Sequence, residues 1–349
     1  MMRLCVGTIG FVLIVLLAPF SAHAQGGTQV TKEQVDKARA EIEKLAQNQV
    51  DTNVVPGLAI AIVFQDHVVY AKGFGVREVG KPEKVDADTV FQLASVSKPI
   101  GATVVAALVS AGKIAWDSKI SDLDPTFAMY DPWVTREITI RDLYAHRSGL
   151  PAHAGDLLED LGYDRAQVLY RLRFQKPDSS FRSHYAYTNF GMTAAAVAAA
   201  KAYDLDWANA SEQKLHQPLG RHSTSSRYSD FIARTNKAVG HVLVNGKWVH
   251  KLQRNPDAQS PAGGVSSSVK DVAQWLRLHI AQGKVSGRQM VDEKALAESH
   301  HPHMLTGFSP LTGLPNFYGL GMNVSYDQQG RLHLSHSGAF ALGAATTII

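Results

Sequence analysis

Residues 91–109 constrain this chain more than any other segment: FQLASVSKPI runs directly into GATVVAALV. Beyond Lys98 the segment carries no charge as far as Val109, and a helix apolar on all sides is stable only in an interior. Whatever the fold, it is built around this helix. Ser95 and Lys98 stand at its entrance, three residues apart and so on one face. The positive end of a helix favours an alkoxide at Ser95 and disfavours a charged Lys98, and burial pushes the lysine the same way. A hydroxyl facing a neutral amine is the arrangement that a Ser-Lys nucleophile needs. The spacing alone says little, because it recurs at Ser110/Lys113, Ser211/Lys214 and Ser267/Lys270. Its ordinary meaning is a capping serine beside a lysine that snorkels to solvent. Only Ser95 lies between a strand end at residues 90–91 and a long apolar helix.

The rest of the chain supplies bounds. Its 349 residues suffice for one large domain or two ordinary ones, and 45% hydrophobic with 19% charged residues excludes wholesale disorder. Residues 1–24 read as a secretory signal, with Arg3, an apolar run from 4 to 20 and a small-x-small site at Ala22-His23-Ala24. Export, most simply to a bacterial periplasm, is the expected location, with no stable membrane span after cleavage. The single cysteine, Cys5, falls inside the signal, so the mature chain has no thiol, disulfide or cysteine metal site. The net charge of +4 includes Arg3 and forms no run of Lys or Arg, so a nucleic-acid partner is not expected.

In order, residues 31–50 carry the capping-box spacing Thr31/Gln34 and apolar Val35, Ala38, Ile42 and Leu45, predicting a helix laid on a sheet. Residues 57–64 are apolar almost throughout, as in a central strand buried on both faces, and turn at Gln65-Asp66 into a second strand over 67–74. Residues 139–150 read as helical until Ser148-Gly149, and 156–176 and 190–203 also carry helical patterns. Strand alternation returns at 241–249 around Asn245-Gly246. A further amphipathic helix over 269–280 places Val272, Leu276 and Ile280 on one face, and strands follow at 319–326 and 331–335. The expected organisation is an α/β (α+β) domain over 30–349, an antiparallel sheet flanked by helices. Its α/β part covers about 30–115 and 265–349, and a helical subdomain of about 116–264 is inserted between them.

Two more stretches complete a candidate site. Tyr187-Thr188-Asn189 precedes an alanine-rich helix, and Tyr-x-Asn occurs once in the chain. A tyrosine near a lysine acts as base or proton relay, and an asparagine holds both lysine and substrate amide. Their ordinary use is a buried tyrosine and a helix-capping asparagine. His336-Ser337-Gly338 lies at a strand edge, where glycine admits close backbone approach by a substrate. His-x-Gly also occurs at His153/Gly155, and position selects the later copy.

The order Ser95-x-x-Lys98, Tyr187-x-Asn189, His336-x-Gly338 resembles the serine β-lactamase and penicillin-binding-protein superfamily. It is most similar to the class C β-lactamase-related branch, with its DD-peptidases, D-aminopeptidases and esterases. Residues 91–98, 138–151 and Pro261-Ala262-Gly263-Gly264 carry the same likeness, which runs from about residue 32 to the end. The resemblance implies a β-lactamase/transpeptidase-like fold with its site in the cleft between the two parts. It also implies that Ser95 is acylated, that Lys98 and Tyr187 share general acid and base duties, and that Asn189 orients the substrate. The Ser95 and Ala339 amides would form the oxyanion hole, and His336 a polar contact at the cleft wall beside Gly338. The implied substrate is a small molecule or peptide with an ester, amide or β-lactam bond. No cofactor and no metal are implied.

Class C β-lactamases carry lysine where this chain has His336, and histidine there is similar to the peptidase and aminopeptidase side. Esters or D-amino-acid amides are therefore the expected substrates rather than cephalosporins, with anionic substrates gaining as His336 titrates near its ordinary pKa of about 6.5. The chain ends at Ile349 inside an apolar run, where the branch continues with a further strand and helix; the resemblance thus implies a C-terminally truncated sequence. His300-His301-Pro302-His303 is expected to be a surface loop, since proline breaks any metal-ligating spacing. The competing class is an inactive penicillin-binding-like protein that holds cell-wall peptide. Oligomeric state is left open.

Overall fold

The computed structural model describes residues 30–251, 253–341 and 344–348; the signal segment 1–24 lies outside the described residues. Helix α1 (Lys32–Asp51) starts at Thr31, whose side chain and that of Gln34 cap each other's backbone amides. Its inward face differs from the expected one: Leu45 is 61% exposed, and Ala46 is the residue buried. The helix lies on a hairpin of β1 (Gly57–Phe64) and β2 (His67–Gly75), and that short contact rotates the buried face by about one residue step.

β1 also departs from expectation. All eight of its residues are half-buried, and its only strand partner among the described residues is β2. A cavity of about 690 Å³ adjoins it, lined by Leu58, Ile60, Trp248, Val272 and Phe340. An apolar strand paired along one edge cannot reach the burial of a central one.

β3 (Phe91–Gln92) leads through a tight turn at Ala94–Val96 into α2 (Ser97–Ser110). Residues 97 to 108 of α2 are all buried, as their composition demands. Each fully buried Val, Ile or Leu here stabilises the fold by about 1.5–3 kcal/mol. Helix α3 (Ile140–Tyr144) is shorter than its pattern predicts: Thr139 and Asp142 cap its start, and at His146 the backbone turns left-handed (φ 54°). Asp142 is fully buried and takes ion pairs from Arg147 (2.7 Å) and Arg182 (2.8 Å), which fixes the turn after α3. α4 (Asp156–Asp160) follows, and α5 (Asn189–Lys201) packs against both α2 and α3. Its alanines let the helices approach closely; Ala195, Ala196, Ala199 and Ala200 are fully buried.

β4 (Val242–Val244) and β5 (Lys247–Val249) form the expected hairpin, with Asn245 and Gly246 both at positive φ. β6 (Ser266–Ser267) pairs antiparallel with β3, and α6 (Val269–Ile280) follows. In α6 the inward face carries Ala273, Trp275 and Leu278, while Ile280 is 49% exposed rather than buried. After a two-stranded ribbon, β7 (Lys284–Val285) and β8 (Arg288–Gln289), comes the largest sheet. It comprises β9 (Met304–Phe308), β10 (Pro315–Tyr318), β11 (Asn323–Tyr326), β12 (Leu332–Phe340) and β13 (Ala344–Ile348), antiparallel and in the order β13-β12-β11-β10-β9. The strand expected over 319–326 is shortened to 323–326 by a bend with Gly321 at φ 84°, where a side chain would strike the Lys98 carbonyl at 2.8 Å. The fold is mixed α/β, an antiparallel sheet flanked by helices. One continuous apolar cluster runs from Leu93 and α2 through Leu143 and α5 to Trp275 and Leu320.

Candidate active site

Two backbone ties hold the turn that carries Ser95. Leu93 N–H donates to the Val265 carbonyl (2.8 Å), and Val265 N–H donates to the buried Ser97 hydroxyl (2.9 Å). Between them Ala94 is forced to φ 47°, a conformation costing a residue with a Cβ about 1–2 kcal/mol. Ser95 is thereby the half-exposed residue in a run whose neighbours are buried. Gly338 of β12 lies against the same turn: a Cβ there would sit 2.5 Å from Ser95 N and 2.6 Å from Leu93 O. No side chain but hydrogen lets the strand come this close. Ala339, the next residue, is exposed.

Lys98 is fully buried, and its Nζ reaches three oxygens: Asn189 Oδ1 (2.6 Å), Ala262 O (2.9 Å) and Ser95 Oγ (3.0 Å). Burial, opposed in part by the charge of Asp156, brings its pKa down to about 7. The first two oxygens only accept, so a neutral Lys98 donates its two protons there and turns its lone pair to Ser95. From the other side Tyr187 OH donates to Ser95 Oγ at 2.8 Å. Burial raises the Tyr187 pKa despite that hydrogen bond, which holds the residue as a phenol. The Lys98 amine also lies 4.4 Å from the centroid of the Tyr187 ring.

Asn189, the first residue of α5, does not cap its helix. Its Nδ2 donates to Asp156 Oδ2 (2.9 Å) while its Oδ1 faces Lys98. His336 is 5% exposed; its Nδ1 donates to the Ser337 carbonyl (2.7 Å) and its Nε2 accepts from Tyr318 OH (3.0 Å). Burial, then the nearby Lys98, push its pKa down to about 3. The expectation that His336 titrates near 6.5 is therefore corrected: with no carboxylate beside it and little water, the ring stays neutral. Its ring centroid is 6.5 Å from that of Tyr187.

The structure thus brings Lys98 and Tyr187 onto the Ser95 hydroxyl, Asn189 onto Lys98 and Gly338 against the Ser95 turn, with His336 near the Tyr187 ring. The other Ser-x-x-Lys serine of note, Ser267, is fully buried and bonded to Thr224 and the Ser268 carbonyl. Residues given no role in the sequence reading join the site: the Ala262 carbonyl, Asp156, and His146, which is wedged between Tyr187 and Tyr318 at 4.7 and 4.8 Å between centroids. Residues 138–151 and 261–264 flagged two of these neighbourhoods, but nothing in the pattern around Asp156 distinguished it from a surface carboxylate. His300, from the histidine-rich loop, hydrogen-bonds His279 (2.9 Å). Among the described residues no three or more His, Cys, Asp or Glu are placed to share a metal ion, and no helix is long and apolar enough to cross a membrane.

A serine flanked by a buried lysine and a phenol, beneath a glycine-bearing strand, is an arrangement suited to a nucleophilic serine. The family model Beta-lactamase matches residues 42–349, and the chain belongs to that family of serine hydrolases. It is 28% identical over 291 residues to Penicillin-binding protein 4 of Amycolatopsis lactamdurans, covering 82% of this chain and 75% of that one. A Beta-lactamase of Escherichia coli is 25% identical over 257 residues, 72% of this chain and 64% of the relative. An Unguisins hydrolase of Aspergillus campestris is 25% identical over 70% of this chain, which spans about half (48%) of that relative. Among solved structures, the octameric penicillin-binding protein homologue from Pyrococcus abyssi superimposes with a TM-score of 0.74 at 21% identity, over 86% of this chain and 68% of that one.

Proposed function

We propose that the protein is an exported serine hydrolase that cleaves an ester or amide bond through an acyl-enzyme on Ser95. The observation that carries this reading is the Ser95 hydroxyl held between Lys98 Nζ at 3.0 Å and Tyr187 OH at 2.8 Å. Ser95 Oγ attacks the substrate carbonyl carbon and its proton passes to the Lys98 lone pair. The Ser95 and Ala339 amides receive the oxyanion. As the intermediate collapses, the bond to the leaving group breaks, Tyr187 supplies a proton to that group and regains one from Lys98. Water then repeats the sequence to release the acid. Lys98 is the base rather than Tyr187, because its pKa of about 7 leaves half of it neutral near neutral pH while the phenol's is raised.

The cleft offers little to an anionic substrate. His336 is neutral, and Arg254, stacked 5.4 Å over Phe340 near the end of β12, is paired with Glu159 (2.6 Å) and Asp160 (3.4 Å). Neutral or cationic esters and D-amino-acid amides fit better than cephalosporins, and lowering the pH does not recruit His336 for anions. Export to a periplasm rests on the pattern of residues 1–24. The test is labelling by a fluorophosphonate, read by intact-protein and peptide mass spectrometry. A single adduct on Ser95 is expected, abolished in Ser95→Ala and kept in Ser267→Ala. An adduct on Ser267, or none at all, overturns the reading, and the second outcome favours an inactive peptide-binding protein.

A further inference from the structure

One carboxylate beside the site has no part in the chemistry above. Asp156, the first residue of α4, accepts from Asn189 Nδ2 (2.9 Å) and from His153 Nδ1 (2.9 Å), both through Oδ2. Its Oδ1 is enclosed and has no hydrogen-bond partner among the described residues. Among the described residues neither a lysine nor an arginine forms an ion pair with it, and its ring partner is His153. Enclosing a carboxylate oxygen without a donor is unfavourable for folding, and such groups concentrate where function requires them.

The geometry of Asn189 says what the requirement is. An amide side chain presents oxygen on one side and NH2 on the other, and nothing in its shape fixes which. A carboxylate only accepts. Asp156 therefore holds Nδ2 towards itself and leaves Oδ1 facing Lys98 at 2.6 Å. Were the amide reversed, two N–H groups would face the lysine, which would have to point its lone pair at Asn189 instead of Ser95. His153 carries this arrangement back to Tyr187: its backbone N–H donates to the Tyr187 carbonyl at 2.7 Å while its ring holds Asp156.

Resting on the Ser95–Lys98–Tyr187 reading, we propose that Asp156 is the positioning residue of the site, orienting the Asn189 amide so that Lys98 turns its lone pair to Ser95. Its charge has a second effect. The titratable groups facing Lys98 are Tyr187 ahead of α5, His146 after α3, His336 on β12 and Asp156 on α4; His153 and Glu159 lie beyond it against Asp156. The two histidines are neutral and the tyrosine is a phenol, so Asp156 is the negative charge in that set that acts on Lys98, and it opposes the effect of burial.

Two substitutions separate orientation from charge. Asp156→Asn can keep an oxygen at the Oδ2 position, where it still accepts from Asn189 and His153, but it removes the charge. Asp156→Ala removes both. The measurement is the rate of fluorophosphonate labelling at Ser95 across pH 5.5–8.5, on the full chain, with melting temperatures recorded for each variant. Displacing a reacting group by an ångström costs on the order of a hundredfold, so Asp156→Ala should lose about ten- to a hundredfold at pH 8. Asp156→Asn should keep most of the rate at pH 8. Its acid limb should move to lower pH, because burial then acts on Lys98 unopposed and the amine stays neutral further down. The ratio of Asp156→Asn to wild type thus climbs as the pH falls. A role confined to stability would lower melting temperature and leave that limb in place, which overturns the proposal; so do wild-type rates in both folded variants. If Asp156→Ala does not fold, Asp156→Leu, of similar size but without an acceptor, takes its place with the same expected loss at pH 8, and a wild-type rate there overturns the proposal. Wild type that fails to label at Ser95 overturns the underlying reading instead, and the proposal with it.

Discussion

Helix α2 and strand β1 are both almost wholly apolar, yet they end up in different surroundings. Residues 97–108 of α2 are buried without exception, whereas every residue of β1 is half-exposed. A helix satisfies its own backbone and can be enclosed by side chains from any direction: α5, the turn at residues 260–263 and the Gly321 bend all close on α2. A strand needs partners along its edges to pair its backbone and elements over both faces to enclose its side chains, and among the described residues β1 has β2 along one edge and a cavity beside it. Apolar composition sets a demand for burial, and backbone geometry decides which segment can meet it. The site stands on the segment that met it. Ser95 and Lys98 are carried by α2 and its leading turn, so their separation does not depend on the hairpin.

The sharpest way to break this contrast is at the point where sheet and helix meet. Gly338→Ala would put a methyl group 2.5 Å from the Ser95 amide nitrogen, with backbone on both sides and nothing flexible to yield. Loss of a single oxyanion donor costs on the order of 10²–10³ in kcat, and such a loss is expected on a nitrophenyl ester, with only about 1–3 kcal/mol of stability lost to overpacking. Wild-type turnover by Gly338→Ala would show that the strand's approach is dispensable.

A smaller effect compares the two segments directly. Leu108 in α2 has no exposure, and its replacement by alanine should cost about 2–5 kcal/mol. Ile60→Ala in β1, at a half-exposed position beside a cavity, should cost clearly less, by denaturant unfolding of both variants. Equal losses would mean that β1 is enclosed as thoroughly as α2.

The effect that is smallest near neutral pH is a pH dependence. His146, His216 and His336 are buried, and burial holds all three imidazoles below their ordinary range, His336 at about 3. The unfolded chain binds protons on these rings near pH 6.5 and the folded one does not, so their neutral form favours the fold fully above about 6.5. Stability should decline as pH falls from there, for His336 down to about 3. Replacing His336 with Gln should flatten the acid side of a melting-temperature profile, and an unchanged slope would count against its burial as a neutral ring.

What could be seen in the sequence follows the same division. Ser95 and Lys98 were legible because a helix fixes the relation of residues three apart, and α2 was legible because nothing else can be done with eleven uncharged residues after Lys98. The role of Gly338 was partly legible, since a glycine inside a strand marks a close approach, though not what approaches. Leu45 and Ile280 were assigned to buried faces by periodicity and proved exposed, because a helix's inward face is set by the partner it meets. Asp156 was not legible at all. Its neighbour in space, Asn189, is 33 residues away, and no local pattern encodes that meeting.

The three contacts of the Lys98 amine bear on how the candidate site reassembles after unfolding. Asn189 lies 91 residues from Lys98 in the chain and Ala262 164, while Tyr187 is 92 from Ser95. Each contact closes a long loop, and long-range closures form late and slowly compared with helices. After denaturation, helical signal should therefore return well before labelling at Ser95 does, and a fragment carrying the Ser95 turn alone should not be labelled.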